Sequence, residues 1–183
     1  MSSPSPILNF ALRGFQVLFA AVVLGLSVGM IKGQGPGLNS PISLRYTAFV
    51  GGVSFLTAII GIAAEWISVL QGMVGLVIDA LVTLLNIAGG VLLAIQIGVP
   101  KCSDASDENR LKLYHNHLFN GGCYKDLPKV ADELQCWNGF DGREGQLNAR
   151  CKEAQADTVF LFFTVAILLV SATMTFLRTK KGY

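Results

Sequence analysis

The chain has 183 residues, of which 52% are hydrophobic and 14% charged, and its formal net charge is +2. An ordinary soluble domain carries about 25% charged residues, so this composition favours a membrane protein. The small net charge and the lack of a basic patch give no support to nucleic-acid binding. The length leaves no room for a separate catalytic domain beside a membrane bundle.

Four long apolar segments are predicted to cross the membrane as helices. They cover residues 7–31, 44–70, 71–98 and 156–177. Each reaches the roughly 20 residues needed to span the hydrocarbon core, where backbone polar groups must be paired inside a helix. Residues 1–10 contain no lysine or arginine, so the first segment is interpreted as an uncleaved span rather than a signal peptide. The predicted fold is an all-α bundle of four transmembrane helices.

A polar loop, residues 99–155, separates the third and fourth spans and carries 17 of the 26 charged residues. All four cysteines lie in it. An even number of cysteines confined to one polar segment predicts disulfides in an oxidising compartment. Of the three possible pairings we favour Cys102 with Cys151, next to the spans, which leaves Cys123 with Cys136. Free thiols in a cytosolic loop are the alternative.

Charges near the ends of the spans predict which side each end faces. The tail, residues 178–183, carries Arg178, Lys180 and Lys181, and positive residues favour the cytosolic side. Together with the cysteines, this predicts cytosolic termini and a loop that faces outward or into a lumen. The tail is also expected to attract anionic lipids. His115 and His117 form a His-x-His pair, but with the thiols in disulfides we expect no metal site.

Polar residues inside the predicted spans form a second pattern. Arg13, Glu65 and Asp79 are ionisable and costly in lipid, so they are expected to face the bundle interior. Arg13 and Asp79 lie at similar depths, which predicts an ion pair, with Glu65 as second partner or at the headgroup level. Thr83 and Asn86 share a helix face with Asp79. We interpret this face as fastening the helices by hydrogen bonds, and the alternative is a pathway for an ion or solute.

Small residues supply the remaining packing signal. Gly25, Gly29 and Gly33 recur at every fourth position, a spacing that allows close helix approach within a chain or between chains. The glycine pairs Gly51-Gly52 and Gly89-Gly90 are expected to loosen or kink the second and third helices. The pattern predicts helix packing and gives weaker support to a homo-oligomer.

The assembled pattern resembles the MARVEL-domain membrane proteins, and within them the fungal non-classical export protein family. The resemblance rests on Arg13 in the run 8–13, Glu65, Asp79 in the run 77–80, Cys102, and the segment 150–156 followed by the aromatic run 160–163. It covers essentially all four spans. That family has a shorter last loop with only the outer cysteine pair, so Cys123, Cys136 and the residues around them resemble an insertion.

The resemblance implies an organiser of the plasma membrane, in eisosome-type cortical domains that are rich in sterol and responsive to sphingolipid. Its expected partners are sterol, sphingolipid and anionic lipids, further copies of itself, and eisosome proteins. The sequence has no nucleophile–base pair, metal-ligand cluster or phosphate loop, which favours a protein without enzymatic activity or cofactor. The alternatives are a small channel or transporter along Asp79, Thr83 and Asn86, and an extracellular recognition module built on residues 99–155.

Overall fold

The computed structural model describes residues 6–64, 73–98, 100–125, 134–139, 142–143 and 145–180, and at residues 6, 73 and 178–180 it describes the backbone alone. Within these ranges the helices are α1 Pro6–Lys32, α2 Ile42–Ala64, α3 Met73–Ile97, α4 Asp107–Tyr114 and α5 Gly145–Lys180. Two short strands, β1 Cys123–Tyr124 and β2 Gln135–Cys136, pair antiparallel, and a 3₁₀ turn follows at Trp137–Gly139.

Four of these helices are long and apolar enough to cross a membrane, namely α1, α2, α3 and α5. This confirms the predicted four-helix architecture among the described residues. The last residues of the predicted second span, and the first of the third, lie outside the described part of the chain. Within the bundle α1 packs against α2 and α5, and α3 packs against α5 and α2. Large apolar side chains such as Phe15, Leu56 and Ile95 remain exposed on the outside of the bundle, as lipid contact requires.

Helix α5 begins at Gly145, well before the residue 156 at which the fourth span is predicted to start. Its 36 residues exceed the roughly 20 that cross the hydrocarbon core, so there is length for the charged first turns to lie in water. Leu147, Cys151 and Ala154 are buried at spacings of four and three residues, so one face of this extension packs onto the loop. The prediction missed the extension because apolar composition marks a membrane span, whereas a helix outside the membrane needs only an apolar stripe.

The loop between α3 and α5 is a small folded unit attached to one end of the bundle. Cys102–Cys151 joins the segment after α3 to α5, with 5.4 Å between the Cα atoms. Cys123–Cys136 joins the paired strands, in which these residues are directly opposite. These are the pairings that the sequence favours. Leu113, Leu118 and Phe119 of the loop are almost fully buried and belong to the same apolar core cluster as side chains of the long helices. The loop and the bundle therefore share one core.

Gly51 marks a close contact between α1 and α2. A Cβ atom added there would lie 2.8 Å from the backbone nitrogen of Leu24 and 3.0 Å from Cγ1 of Val23. At the neighbouring Gly52, nothing lies within 4 Å of such an atom. Gly51, which was expected to loosen or kink α2, thus allows the backbones of α1 and α2 to approach each other.

This pair of glycines gives a matched test of packing. We expect Gly51→Ala to lower the free energy of unfolding by about 1–3 kcal/mol, because the methyl group meets main-chain atoms that have little room to move. Gly52→Ala adds the same group in open space and should leave the stability unchanged or raise it slightly. Thermal unfolding of the two variants in detergent micelles measures the difference. Equal melting temperatures would show that α1 and α2 do not pack as described.

Candidate functional site

A buried ion pair connects α1 and α3. The Arg13 guanidinium donates from Nη1 to Oδ1 of Asp79 at 2.8 Å and from Nη2 to Oδ2 at 2.7 Å. The side chains are 9% and 3% exposed. A two-bond arginine–carboxylate contact fixes orientation as well as charge. The structure therefore brings together Arg13 and Asp79, which the sequence predicts as an ion pair. Glu65, the predicted second partner, lies outside the described residues.

Polar and small residues surround this pair. Arg13 Nη1 also donates to the side-chain oxygen of Gln16 at 2.8 Å, and the Thr83 hydroxyl donates to the backbone carbonyl of Asp79 at 2.6 Å. Gly61 of α2 faces the guanidinium, and a Cβ atom there would lie 2.7 Å from Nε of Arg13. A side chain at position 61 would therefore push against the charged group. Three helices shape the space that holds this arginine.

The predicted polar face of α3 divides between different neighbours. The Asn86 side-chain amide donates to Oγ of Ser54 in α2 at 2.8 Å and to its own helix at Val82 O. One turn further, Gly90 makes room for the ring of Phe162 in α5, whose Cζ would lie 3.1 Å from an added Cβ atom. Asp79, by contrast, bonds to α1. Successive positions of the face therefore attach α3 to α1, α2 and α5.

A second buried polar cluster joins α1, α2 and α5. The Ser27 hydroxyl lies 2.7 Å from Oδ2 of Asp157, to which it donates, and 2.9 Å from Oγ1 of Thr47. All three residues are fully buried. Asp157 was not predicted as a buried residue, since it follows a charged stretch and so resembles a residue at the membrane surface. Its spacing could have indicated its burial, because Arg150, Ala154 and Asp157 are four and three residues apart and so lie on one face of a helix.

Arg150 links the folded loop to the bundle. It is 4% exposed, and its guanidinium donates to the backbone carbonyl of Leu118 from Nε and Nη2 and to that of Met30 from Nη1, at 3.0–3.2 Å. The last carbonyl groups of a helix have no partner within the helix, and Met30 is close to the end of α1. The arginine thus donates hydrogen bonds both to a carbonyl group near the end of α1 and to a carbonyl group of the loop. This role of Arg150 was not predicted from the sequence, where the residue supports the family resemblance alone.

The glycines of α1 do not act as one packing row. A Cβ atom at Gly33 would lie 2.7 Å from Nη1 of Arg150, so this glycine leaves room for the arginine. At Gly25 and Gly29 nothing in the described part of the chain lies within 4 Å of such an atom, and both residues are exposed. The remaining possibilities for these two positions are contact with lipid or with another copy of the chain.

Other predicted residues lie apart from the intramembrane network. Arg178 and Lys180 extend α5, with only their backbone described, and Lys181 lies outside the described residues. His115 and His117 are exposed in the loop. Across the described ranges, no group of three or more metal-ligating side chains was found.

Comparisons with known proteins place the chain in a family. Neither the curated proteins nor the solved structures gave a match. The family model for MARVEL, described as a membrane-associating domain, matches residues 6–174. That range takes in α1, α2, α3, most of α5, the folded loop and both buried polar clusters. The chain therefore belongs to the MARVEL family of membrane-associating domains.

Proposed function

We propose that the protein is a non-enzymatic organiser of lipid-ordered domains in the plasma membrane, where it associates with itself and binds sterol and sphingolipid. Membership of a membrane-associating family supports the general role. The observation that carries the finer proposal is a surface of α1 formed by Gly25 and Gly29. Both residues are exposed, and an added Cβ atom at either of them would meet nothing within 4 Å.

This glycine surface suits the proposed partners. A helix face without side chains lets another helix approach closely, and dispersion contacts and weak hydrogen bonds then replace lipid contacts. A flat sterol ring system fits a smooth face for the same reason. Leu18 lies two turns before Gly25 on the same face of α1 and is also exposed. The surface therefore offers a groove, with an apolar side chain at one end, to a neighbouring copy or a lipid.

The interior of the bundle supports an organiser more than a solute pathway. Asp79 is paired with Arg13, Thr83 bonds to the backbone of Asp79, and the Asn86 amide bonds to α2. A pathway needs polar groups that can exchange their partners for a passing solute. Here Asp79 and Asn86 hold α3 to α1 and α2, as expected for polar residues in a membrane bundle, whereas Thr83 bonds within α3.

The proposed topology places the termini in the cytosol. Disulfides form in oxidising compartments, so the loop that contains Cys102–Cys151 belongs on the outer side. The tail residues Arg178, Lys180 and Lys181 then lie at the cytosolic leaflet, where each basic residue contributes about 1 kcal/mol of attraction to anionic lipid. This arrangement suits a cortical, eisosome-type domain, whose other proteins are the proposed partners.

Native mass spectrometry from sterol-containing nanodiscs tests the proposal. We expect wild-type protein to leave the nanodisc as a discrete oligomer with bound sterol or sphingolipid. The double variant Gly25→Leu/Gly29→Leu should weaken association about tenfold or more, because the new side chains separate the helices. Ala80→Leu/Ala88→Leu places the same bulk at exposed small residues of α3 and should leave association unchanged. A lipid-poor wild-type monomer, or equal association in both variants, would contradict the proposal.

A further inference from the structure

A small cavity of the folded loop lies beside the inner disulfide, Cys123–Cys136. Its volume is about 190 Å³, and its walls include both of these cysteines, the two histidines His115 and His117, and Tyr114. Pockets that hold a whole drug-sized ligand have volumes of about 300–1,000 Å³. This cavity is smaller than that range, so it suits one side chain of a larger molecule.

The two disulfides differ in how well they can be reached from outside. Cys102 and Cys151 of the outer disulfide are 5% and 0% exposed, and both belong to the apolar core cluster. In the inner disulfide Cys136 is 4% exposed, whereas Cys123 is partly exposed and lines the cavity. Thiol–disulfide exchange requires that an attacking thiolate reaches a sulfur atom. The inner disulfide is therefore the one that a second molecule can attack, at Cys123.

The surroundings of Cys136 suit a sulfur atom that leaves and takes up a proton. Cys136 is buried, and a thiolate in apolar surroundings is costly. Its Sγ atom lies 3.5 Å from the carbonyl oxygen of Leu134, which can accept a hydrogen bond from a thiol. His115 and His117 line the same cavity, and an imidazole that carries a proton can donate it as a general acid.

Hydrogen bonds hold the two cysteines near each other independently of the S–S bond. The backbone nitrogen of Trp137 donates to the carbonyl oxygen of Gly122 at 2.9 Å, which pairs the strands directly beside the cysteines. The backbone nitrogen of Cys136 donates to the Tyr114 hydroxyl at 3.0 Å. Groups that are held in position react as if they were at a high local concentration. After the S–S bond opens, Cys136 can therefore attack Cys123 again and close it.

We propose that the inner disulfide exchanges with a cysteine thiol of a peptide or protein. The partner's thiolate attacks Sγ of Cys123, a new S–S bond forms between them, and the Cys123–Cys136 bond breaks. The electron pair of the broken bond goes to Cys136, which takes a proton from His115 or His117. The proton released when the partner's thiol ionised returns to the imidazole. The product is a mixed disulfide, and the reverse sequence releases the partner.

This exchange would give the protein a reversible covalent link to its partner. The disulfide itself is the oxidant, so the reaction consumes no other oxidant or reductant. The site is separate from the glycine surface of α1 and from the basic tail. It does not depend on self-association or on sterol.

Trapping of mixed disulfides tests the proposal on the full chain in detergent micelles. One probe is reduced glutathione, and the other is a small soluble protein with one exposed cysteine. At intervals free thiols are blocked with N-ethylmaleimide, and the products are located by peptide mapping without reductant. We expect the probe on Cys123 and the maleimide on Cys136, at an initial rate at least about tenfold above that at Cys102–Cys151.

The two probes also identify the kind of partner. Exchange with either probe supports the site. Exchange with glutathione alone limits the partner to short peptides, whereas exchange with the protein probe extends it to proteins. If neither probe forms the adduct, or if both disulfides open at equal rates, the proposal is wrong.

Variants of the histidines separate the proton transfer from folding. We expect His115→Ala/His117→Ala to slow the exchange by at least about tenfold. Its melting temperature should stay close to that of wild type, because both side chains are exposed. Added imidazole should restore part of the rate, which a loss of structure would not allow. Lys101→Gln, an exposed lysine away from the cavity, should change the rate less than twofold. An unchanged rate in the histidine variant would refute their role.

Discussion

Replacing Asp79 by leucine is expected to lower the free energy of unfolding by about 3–5 kcal/mol, because the Arg13 guanidinium then stays buried without its carboxylate. Arg13→Leu should cost a similar amount for the converse reason. The loss is large compared with the total stability of most proteins, so both variants should also reach the cell surface poorly. Thermal unfolding in micelles and surface delivery in cells measure the two effects.

The double variant Arg13→Leu/Asp79→Leu shows whether the cost comes from an unpaired charge. Replacing a buried pair by apolar residues is often neutral, so the double variant should recover most of the stability lost in each single variant. Arg45→Leu removes an exposed arginine near the start of α2 and should change stability by no more than about 0.5 kcal/mol. Additive losses in the double variant, or normal stability in both single variants, would refute the ion pair.

Removal of the outer disulfide is expected to destabilise the protein more than removal of the inner one. The pair Cys102–Cys151 closes a sequence separation of 49 residues, and Cys123–Cys136 closes one of 13. The chain-entropy model gives about 4 kcal/mol for the longer loop and about 3 kcal/mol for the shorter. Cys151 is also part of the shared core of loop and bundle, so its loss removes packing as well.

The measurement compares Cys102→Ala/Cys151→Ala with Cys123→Ala/Cys136→Ala. Each double variant keeps one disulfide, which peptide mapping without reductant should verify before unfolding is measured. We expect the first variant to have the lower melting temperature, and its loop to be cleaved faster by added protease. The reverse order would show that the strand pair, rather than the link from α3 to α5, holds the loop in place.

The predictable parts of this molecule are those whose possible structures are restricted by the lipid environment. Apolar stretches of sufficient length must be helices, and a charge such as Arg13 must find a partner inside the bundle. Asp79 was identifiable as that partner because the two residues lie at similar depths. The depth of a residue follows from counting along the helix, and no knowledge of the fold is needed.

Contacts with backbone atoms could not be predicted in this way. Arg150 bonds to the carbonyl groups of Leu118 and Met30, and every residue of the chain has such a carbonyl. The sequence around these positions therefore contains no signal for the contact. Gly33 was selected by its spacing from Gly29, but the neighbour that requires its small size is Arg150, far away in the chain. Such roles depend on which helices meet, and residue pattern does not determine that.

The ion pair between α1 and α3 also has a consequence for the synthesis of the protein. Arg13 and Asp79 are separated by 66 positions along the chain. At a synthesis rate of about 5–20 residues per second, Arg13 emerges from the ribosome about 3–13 s before its partner. During that interval the first span carries an uncompensated positive charge into the membrane. The insertion machinery therefore has to hold this helix, or leave Arg13 at the membrane surface, until the third span arrives.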